Sequence, residues 1–336
     1  MNLFFSPNND KIKNEHVNIL KDLIDDNGLK VVEDRYFEWK IKDWSDFINI
    51  YDKRMYSLPF TFFGHTWMIK LKSPLNEYHR EEKYLRICLA NKTNDNKERH
   101  ILVKFLFSFR DPHDYSLFKS LPSSSFFCIS NVTTEEISSE YAYSEIVNEE
   151  NFHKYIQPLI KDDTLILCMN LRIYNNTILG KYLDKLKKLI NDNDKEIADE
   201  DYYEWKVDDL DVHDTLEFSP NFLIGGYKWG INLSSVKKKE YLELIFRNTN
   251  PVDSLKKNKD IYVNCVLSIR NRNDFSFYHA ESSSLQCFNK TNRSYTFSKF
   301  YKISDLFLKN EISKKPLFED RNIIIGAYVR IYKNKK

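Results

Sequence analysis

Histidine and cysteine are the side chains here best suited to bind a metal ion or attack a substrate, and their spacing favours neither role. The eight histidines include no HExxH pair and no other paired metal-ligand spacing: His16, His65, His79, His100, His113, His153, His213 and His279. The five cysteines are widely spaced and contain no CxxC pair: Cys88, Cys128, Cys168, Cys265 and Cys287. Each lies in an apolar or strand-like run, where a thiol is a poor nucleophile. We therefore expect buried free thiols in a reducing compartment, and neither an enzyme nor a metal or other cofactor.

Composition narrows the possible partners and the compartment. A chain of 336 residues, 42% hydrophobic and 30% charged, is long enough for two globular domains of about 150 residues each. The formal net charge of +2 is spread over alternating acids and bases, which argues against a nucleic-acid partner. The first residues, MNLFFSPNND, carry too short an apolar segment for a secretory signal, and no window approaches the roughly 18 apolar residues of a membrane span. We expect a cytoplasmic protein with no membrane partner.

The elements that would position any site occur twice. The stretch RYFEWKIKDW (35–44) returns as DYYEWKVDDL (201–210), which places Trp39 and Trp205 166 residues apart. Other segments repeat in the same order, with offsets between 157 and 166: LKDLIDDN with LKKLINDN, KYLRICLAN with EYLELIFRN, and ILVKFLFSFRD with IYVNCVLSIRN. Chance does not preserve order over so many segments. The chain is therefore predicted to contain two copies of one domain.

Each copy has the pattern of an antiparallel β-sandwich. The shared segments are short, rich in Ile, Val, Phe, Tyr and Leu, and often alternate in polarity, while polar connections separate them. Helical spacing is confined to the segment that leads into each copy, HVNILKDLI and KYLDKLKKLI. We predict an N-terminal helical lead-in over 1–33, a first sandwich over 34–176, a helical connector over 177–199 and a second sandwich over 200–336.

Each copy resembles a MATH domain, the meprin and TRAF homology fold. The family's opening aromatic-x-Trp strand is matched by FEW at 37–39 and YEW at 203–205. Its Ser-Pro-x-Phe…Gly-Gly-x-x-Trp block stands almost intact over 219–229 and more loosely over 57–67. The resemblance implies an all-β protein built from two tandem antiparallel eight-stranded β-sandwiches, each here preceded by a short helix.

The resemblance also implies a peptide-binding groove at the edge of one sheet. In peptide-binding members the groove carries Asp-Trp-Gly-Phe followed by a Lys-Phe pair, where this chain has EYAYSEI (140–146) and SYTFSKF (294–300). Two neighbouring strands would supply the groove floor. The implied peptide-binding residues are Cys88, Phe105, Glu140, Tyr141 and Tyr143 in the first copy, and Ile245, Cys265, Arg293, Ser294, Tyr295 and Phe297 in the second. Because the first copy is acidic there and the second is basic, we expect the two grooves to prefer different ligands.

The function implied by the resemblance is a non-catalytic adaptor that binds extended segments of partner proteins. In the family, such binding recruits partners to ubiquitin-pathway or receptor-signalling assemblies. The alternative is a structural or self-associating protein that has lost peptide binding, because the Trp and Gly of the groove signature are replaced in both copies. The lead-in helix has no sustained heptads, so we expect a monomer rather than a coiled-coil trimer.

Overall fold

Antiparallel β-sheet dominates both halves of the chain, as the sequence pattern predicts. The structure, a computed structural model, describes residues 7–50, 53–73, 84–91, 100–124, 126–130, 143–191, 195–207, 210–212, 215–235, 240–250, 260–311 and 314–333. These residues fall into two units, the first ending at Asn175 and the second beginning at Asn176.

The first unit contains ten strand segments and three α-helices among its described residues. Its strands are β1 (Val31–Ile41), β2 (Arg54–Tyr56), β3 (Phe60–Phe62), β4 (His65–Lys72), β5 (Tyr84–Asn91), β6 (His100–Arg110), β7 (Phe118–Ser120), β8 (Phe127–Ser130), β9 (Tyr143–Asn148) and β10 (Leu165–Tyr174). Its helices are α1 (Pro7–Asp22), α2 (Trp44–Ile48) and α3 (Glu149–Asn151), the last continuing as a π turn (Phe152–Ile156) and a 3-10 turn (Gln157–Leu159).

The second unit repeats this order. It begins with α4 (Thr177–Lys188) and has a 3-10 turn at Ile303–Phe307. Its strands are β11 (Ile197–Val207), β12 (Leu216–Phe218), β13 (Phe222–Ile224), β14 (Tyr227–Ser234), β15 (Tyr241–Asn248), β16 (Ile261–Asn271), β17 (Asp274–Ser282), β18 (Gln286–Phe288), β19 (Ser294–Lys302) and β20 (Ile323–Tyr332).

The ten segments of each unit form two sheets, and the strand order of these sheets is the same in both units. In the first unit the orders are β1-β10-β6-β7, with β8 also on β6, and β2-β4-β5-β9, with β3 also on β4. The second unit has the orders β11-β20-β16-β17, with β18 on β16, and β12-β14-β15-β19, with β13 on β14. Since β2 and β3 share one side of β4, and β7 and β8 share one side of β6, each pair is one interrupted edge strand. The eight predicted strands are therefore present, two of them in two pieces.

The core of each unit lies between its two sheets. Alternate residues of every long strand point inward, as in Leu242, Leu244 and Phe246 of β15. The two tryptophans of the repeated Gly-containing block, Trp67 and Trp229, are fully buried at the centre of these cores. Inter-sheet burial of alternate apolar residues is what makes each unit a sandwich.

A helix packs on the outer face of one sheet in each unit. In the first unit Leu20 and Ile24 pack against outward residues of β6 and β10, and Arg172 of β10 donates to the carbonyl oxygens of Lys21 (2.8 Å) and Ile24 (2.9 Å). An arginine at this position satisfies carbonyls that the end of a helix leaves without a partner. In the second unit α4 contacts β17 and β20, and belongs to that unit. None of the described helices has the length and hydropathy needed to span a membrane.

Each unit has its own copy of a polar cluster beneath its docked helix. In the second unit, Tyr202 donates from its hydroxyl to Glu204 Oε1 (2.7 Å), and Glu204 forms an ion pair with Arg270 (2.8 Å) that is almost fully buried. In the first unit Tyr36, Glu38 and Arg110 repeat these contacts, but the Glu38 side chain is 23% exposed. The Tyr-x-Glu and Ser-x-Arg motifs that both copies contain therefore have a structural role, because they form this cluster.

The helix contributes a different residue to the cluster in each unit. Tyr182 of α4 shares a 2.7 Å hydrogen bond with Ser268 Oγ, whereas the equivalent residue of α1 is His16. His16 is buried among aromatic rings, and neither ring nitrogen has a hydrogen-bond partner among the described residues. Burial lowers the pKa of His16 to about 4, and the charge of Arg110 acts in the same direction. The histidine is therefore neutral at pH 7.

We expect different effects on stability when each of these two residues is replaced by phenylalanine. Tyr182→Phe removes a buried hydrogen bond and should lower the free energy of unfolding of the second unit by about 1 kcal/mol. His16→Phe replaces two buried, unpartnered nitrogens by carbon and should leave the first unit unchanged or more stable. Hydrogen exchange in urea, followed by mass spectrometry of peptides from each unit, measures the two free energies separately. Equal losses in both variants would contradict this account of His16.

Candidate functional site

In the second unit, the sheet on which no described helix packs has an accessible outer face and ends in an edge strand. Its order is β12-β14-β15-β19, so that β19 pairs with β15 and, among the described residues, with no strand on its other side. Leu216 and Phe218 of β12 are about half exposed, and Thr296 of β19 is exposed. An edge of this kind can pair with an added strand.

The backbone register identifies which groups of β19 face outward from the sheet. The N–H of Asn248 donates to the carbonyl oxygen of Arg293 (2.8 Å), so this opposed pair is hydrogen-bonded. In an antiparallel ladder hydrogen-bonded and non-hydrogen-bonded pairs alternate. Since Arg247 is opposite Ser294 and Ile245 is opposite Thr296, both Ser294 and Thr296 direct their N–H and C=O groups away from β15. These groups lie on the unpaired side of the edge.

A row of side chains crosses the outer face to this edge. Phe218 lies opposite Asn232, Asn232 opposite Ile245, and Ile245 opposite Thr296. The next row toward the start of β19 pairs Arg247 with Ser294. We call these six residues the edge surface: Phe218, Asn232, Ile245, Arg247, Ser294 and Thr296. They combine an exposed aromatic ring, polar side chains and one positive charge.

Arg247 provides that charge, and it lies against an aromatic ring. Its guanidinium carbon is 5.3 Å from the centroid of the Phe218 ring, within the range of a cation–π contact. Burial lowers the pKa of Arg247, although the group remains charged at pH 7. Its Nε is buried without a hydrogen-bond partner among the described residues, as is Oδ1 of Asn232.

The structure places the predicted aromatic residues of the second unit on the opposite face of β19. Phe297 is 6% exposed and belongs to the inter-sheet core, and Tyr295 is half buried and packs against that core. The two rings contact each other edge to face, with centroids 4.9 Å apart. Of the predicted residues, Ser294 and Ile245 therefore lie on the edge surface, while Tyr295 and Phe297 support it from the inside.

Two more predicted residues of the second unit are not on this surface. Cys265 lies on β16, in the other sheet, and is 1% exposed within the core. Arg293 directs its guanidinium to the carbonyl oxygens of Asn248 (3.0 Å) and Asn250. The sequence does not show which of the two sheets contains the strand of Cys265, or which way Arg293 points just before β19 begins. Cys265 is a core residue, and the charge of Arg293 is used to hold the loop after β15.

A β-bulge in β19 distinguishes this strand from β9, its counterpart in the first unit. The pairing shifts between Leu242 and Leu244 of β15, so that Phe297 and Phe300 both point into the core and Ser298 and Lys299 are both exposed. The corresponding strand β9 pairs with β5 without such a shift. Tyr143 lies opposite Leu89 as Tyr295 lies opposite Phe246. Alignment at a fixed offset, which matches Tyr143 to Phe297, misses this bulge.

In the first unit the predicted residues are likewise divided. Cys88 is buried, and because Ile87 and Leu89 point into the core, its side chain is on the outer face of β5. Phe105 of β6 is 1% exposed in the core. Tyr143 is the first residue of β9, an edge strand, while Glu140 and Tyr141 lie outside the described residues.

The described thiols are poorly suited to nucleophilic chemistry. Burial raises the pKa of Cys168 to about 12 and that of Cys265 to about 12, so both are protonated at pH 7. Within the described ranges, no three His, Cys, Asp or Glu side chains converge to hold a metal ion. The edge surface itself offers backbone hydrogen-bonding groups, polar side chains and an exposed ring, which are groups that can contact another chain.

Sequence analysis did not select Phe218, Asn232 or Arg247. The signal for Arg247 is present in the alternation of YLELIFRN, where Tyr241, Glu243, Ile245 and Arg247 form the outward set. Phe218 and Asn232 have no comparable signal, because their proximity to Ile245 depends on the pairing of three strands.

Comparison with known families gives one match, which lies within the first unit. Residues 36–171 match the family model described as MATH domain. No curated protein matched the sequence. The matched segment runs from β1 into β10, and the second unit has the same strand order and pairings. The second unit is consistent with a further domain of the same kind.

Proposed function

We propose that this protein is an adaptor that binds an extended segment of a partner protein along the edge of β19, because residues 36–171 match the MATH domain model and MATH domains are protein-interaction domains. We further propose, on the resemblance to that family alone, that the captured partner is delivered to an assembly such as those of the ubiquitin pathway. The proposal concerns the second unit because its edge strand and outer face are both described.

The observation that carries the proposal is that the outward backbone groups of Ser294 and Thr296 pair with no strand in the described part of the chain. A peptide strand added there would hydrogen-bond to groups that no described strand uses, and the adjacent rows would contact its side chains. The bulge at Ser298 and Lys299 ends regular pairing, so the added strand would be short. Short strand addition predicts modest, micromolar affinity that depends strongly on side-chain contacts.

Thr296→Pro tests this geometry. Proline removes the outward N–H without removing a bond to β15, and edge strands tolerate proline on that side. In a screen of the full-length protein against an array of extended peptides, we expect binding by the wild type and at least a tenfold loss in Thr296→Pro, since about 1.4 kcal/mol is tenfold in affinity. Fluorescence titration of the strongest peptides measures the loss.

Thr296→Ala is the matched control, because it alters the side chain and keeps the N–H. It should bind within a few-fold of the wild type, and both variants should keep the melting temperature. These two variants test peptide binding more directly than truncation of Tyr295 or Phe297 would, because the rings of those residues support the core and their loss would also change stability. Absence of peptide binding by the wild type, or undiminished binding by a folded Thr296→Pro variant, would refute the proposed function.

A second candidate is self-association through the same sheet. It is favoured by Leu216 and Phe218, two half-exposed apolar residues on β12, the opposite edge of the sheet. Light scattering of the full-length protein across a concentration series separates the two functions. A concentration-dependent dimer that Phe218→Ser abolishes would support self-association over capture of another protein.

A further inference from the structure

His16 places a titratable side chain inside the contact between α1 and the sheet beneath it. The side chain is 2% exposed, and its ring contacts the rings of Tyr36, Tyr115 and Phe118 edge to face, with centroids 5.9, 5.9 and 4.5 Å away. Neither ring nitrogen has a hydrogen-bond partner among the described residues. A neutral imidazole tolerates this position, but an imidazolium would be buried with two N–H donors and no acceptor among those residues.

The charged groups around His16 do not compensate for its burial. Titratable or charged side chains face it from the elements packed around it: Lys13 of α1, Tyr36 and Glu38 of β1, Arg110 of β6, Tyr115 of the connection from β6 to β7, and Cys168 of β10. Arg110 and Glu38 act on the pKa of His16 in opposite directions, and they form an ion pair with each other (3.1 Å). Burial therefore dominates and, together with Arg110, lowers the pKa of His16 to about 4.

We propose that α1 is a pH-dependent lid: protonation of His16 weakens its docking, so that the apolar face beneath the helix opens to solvent in mild acid. A solvated imidazole takes up a proton with a pKa near 6.5, whereas the docked one has a pKa of about 4. Docking is therefore strongest above pH 6.5, weakens as the pH falls below that value, and loses nothing further from His16 below pH 4. Within this window each pH unit changes the docking equilibrium by up to about tenfold.

The contacts of α1 indicate which part of the helix opens. At its C-terminal end, Arg172 donates to the carbonyl oxygens of Lys21 and Ile24, at 2.8 and 2.9 Å. Over residues 10–15, by contrast, no side chain is buried, so His16 is the first buried side chain of the helix from residue 10 onward. Short helices are marginal in water, and the turns up to His16 would lose their structure once its contact with the sheet is lost.

The second unit has a different residue at this position. Tyr182 of α4 occupies the place of His16 and shares a 2.7 Å hydrogen bond with Ser268 Oγ. Burial raises the pKa of Tyr182 to about 12, so this side chain stays neutral between pH 7 and pH 4. The contact beneath α4 gains no charge in that range. The pH-dependent lid is therefore assigned to the first unit alone.

Labelling of Cys168 in the full-length protein measures the opening. Its thiol is 0% exposed in the cluster that α1 covers, so a reagent reaches it when the helix leaves the sheet. The probe is 4,4′-dithiodipyridine, which reacts with thiols in acid, and mass spectrometry of the labelled peptides identifies the site. Each rate is divided by the rate for the urea-unfolded protein at the same pH. We expect this ratio to rise about tenfold or more from pH 7 to pH 5, and to stay constant above pH 7.

His16→Phe tests whether the imidazole is the cause, because this variant keeps every carboxylate of the protein. Its labelling ratio should stay constant between pH 7 and pH 5. Hydrogen exchange of peptides from α1, corrected for the intrinsic rate, should rise with labelling in the wild type only. Peptides from β4, in the sheet that α1 does not contact, control for unfolding of the whole unit and should keep their protection. An equal rise in His16→Phe, no rise in the wild type, or loss of protection in β4 in step with labelling would overturn the inference.

Discussion

Replacement of Glu204 by glutamine is expected to destabilise the second unit by about 3–5 kcal/mol, the cost of leaving one partner of a buried ion pair uncompensated. Glu204 and Arg270 are 1% and 0% exposed, and both carboxylate oxygens accept hydrogen bonds from the guanidinium. Burial opposes the charge of Arg270, but Glu204 raises its pKa above the usual value. Glutamine would leave that charge buried and turn an N–H₂ group toward a donor.

The equivalent change in the first unit, Glu38→Gln, is the control. Because the Glu38 side chain is 23% exposed, water screens this ion pair in part, although Arg110 itself is 4% exposed, and we expect a smaller loss of about 1–3 kcal/mol. Unfolding of two units is not a two-state process, so the free energies must be measured for each unit. Hydrogen exchange of peptides from β14–β15 and from β4–β5 provides them. Equal losses would show that burial does not set the strength of the pair.

Trp229→Ala is the second change with a large expected effect, a loss of about 3–5 kcal/mol from the second unit. The indole is fully buried, stacks on Phe246 with centroids 4.8 Å apart, and donates from Nε1 to the carbonyl oxygen of Ile224 (3.1 Å). Alanine would leave a cavity at the centre of the core and a carbonyl without its donor. Urea-dependent hydrogen exchange of β14 and β15 measures the loss.

Two further variants separate packing from the hydrogen bond in this prediction. Trp229→Phe keeps an aromatic ring in the core and loses the donor and part of the buried volume, so it should cost less than half as much. Trp39→Ala, at a position that is only partly buried against the first core, should also cost less. A loss in Trp39→Ala as large as that in Trp229→Ala would contradict the assignment of Trp229 to the centre of a core.

The sequence predicted the repeat, the strands and the sandwich because these depend on local alternation and on the order of segments. Leu242, Leu244 and Phe246 alternate with outward residues in the sequence as they do in the structure. The helix before each sandwich was also predicted from its spacing. Its docking on one sheet depends on Arg172 and the Glu–Arg clusters, which are far apart in the chain and meet only after the sheets form.

The candidate site was predicted less completely, for a physical reason. Ser294 and Ile245 lie on the edge surface, whereas Phe297 points inward together with its partner Leu244, and the bulge that follows Phe297 adds residues to β19 without a mark in the sequence. Arg247 was visible as an outward position, yet its contact with the Phe218 ring depends on the pairing of strands that are distant in the sequence. Residues that belong to a site through pairing of distant strands require the fold to be known.

The position of the last strand in each unit has a consequence for how the protein is made. Within its own unit, each of β10 and β20 is the last strand to leave the ribosome, yet each lies inside its sheet, between β1 and β6 or between β11 and β16. The first strand of each unit therefore has no partner until the whole unit has been synthesised, and its apolar face remains exposed meanwhile. Pairing of the two ends of a unit also gives long sequence separations, which slow folding. A growing chain of this kind closes each sheet in a single late step, and any chaperone that assists it would act before that step.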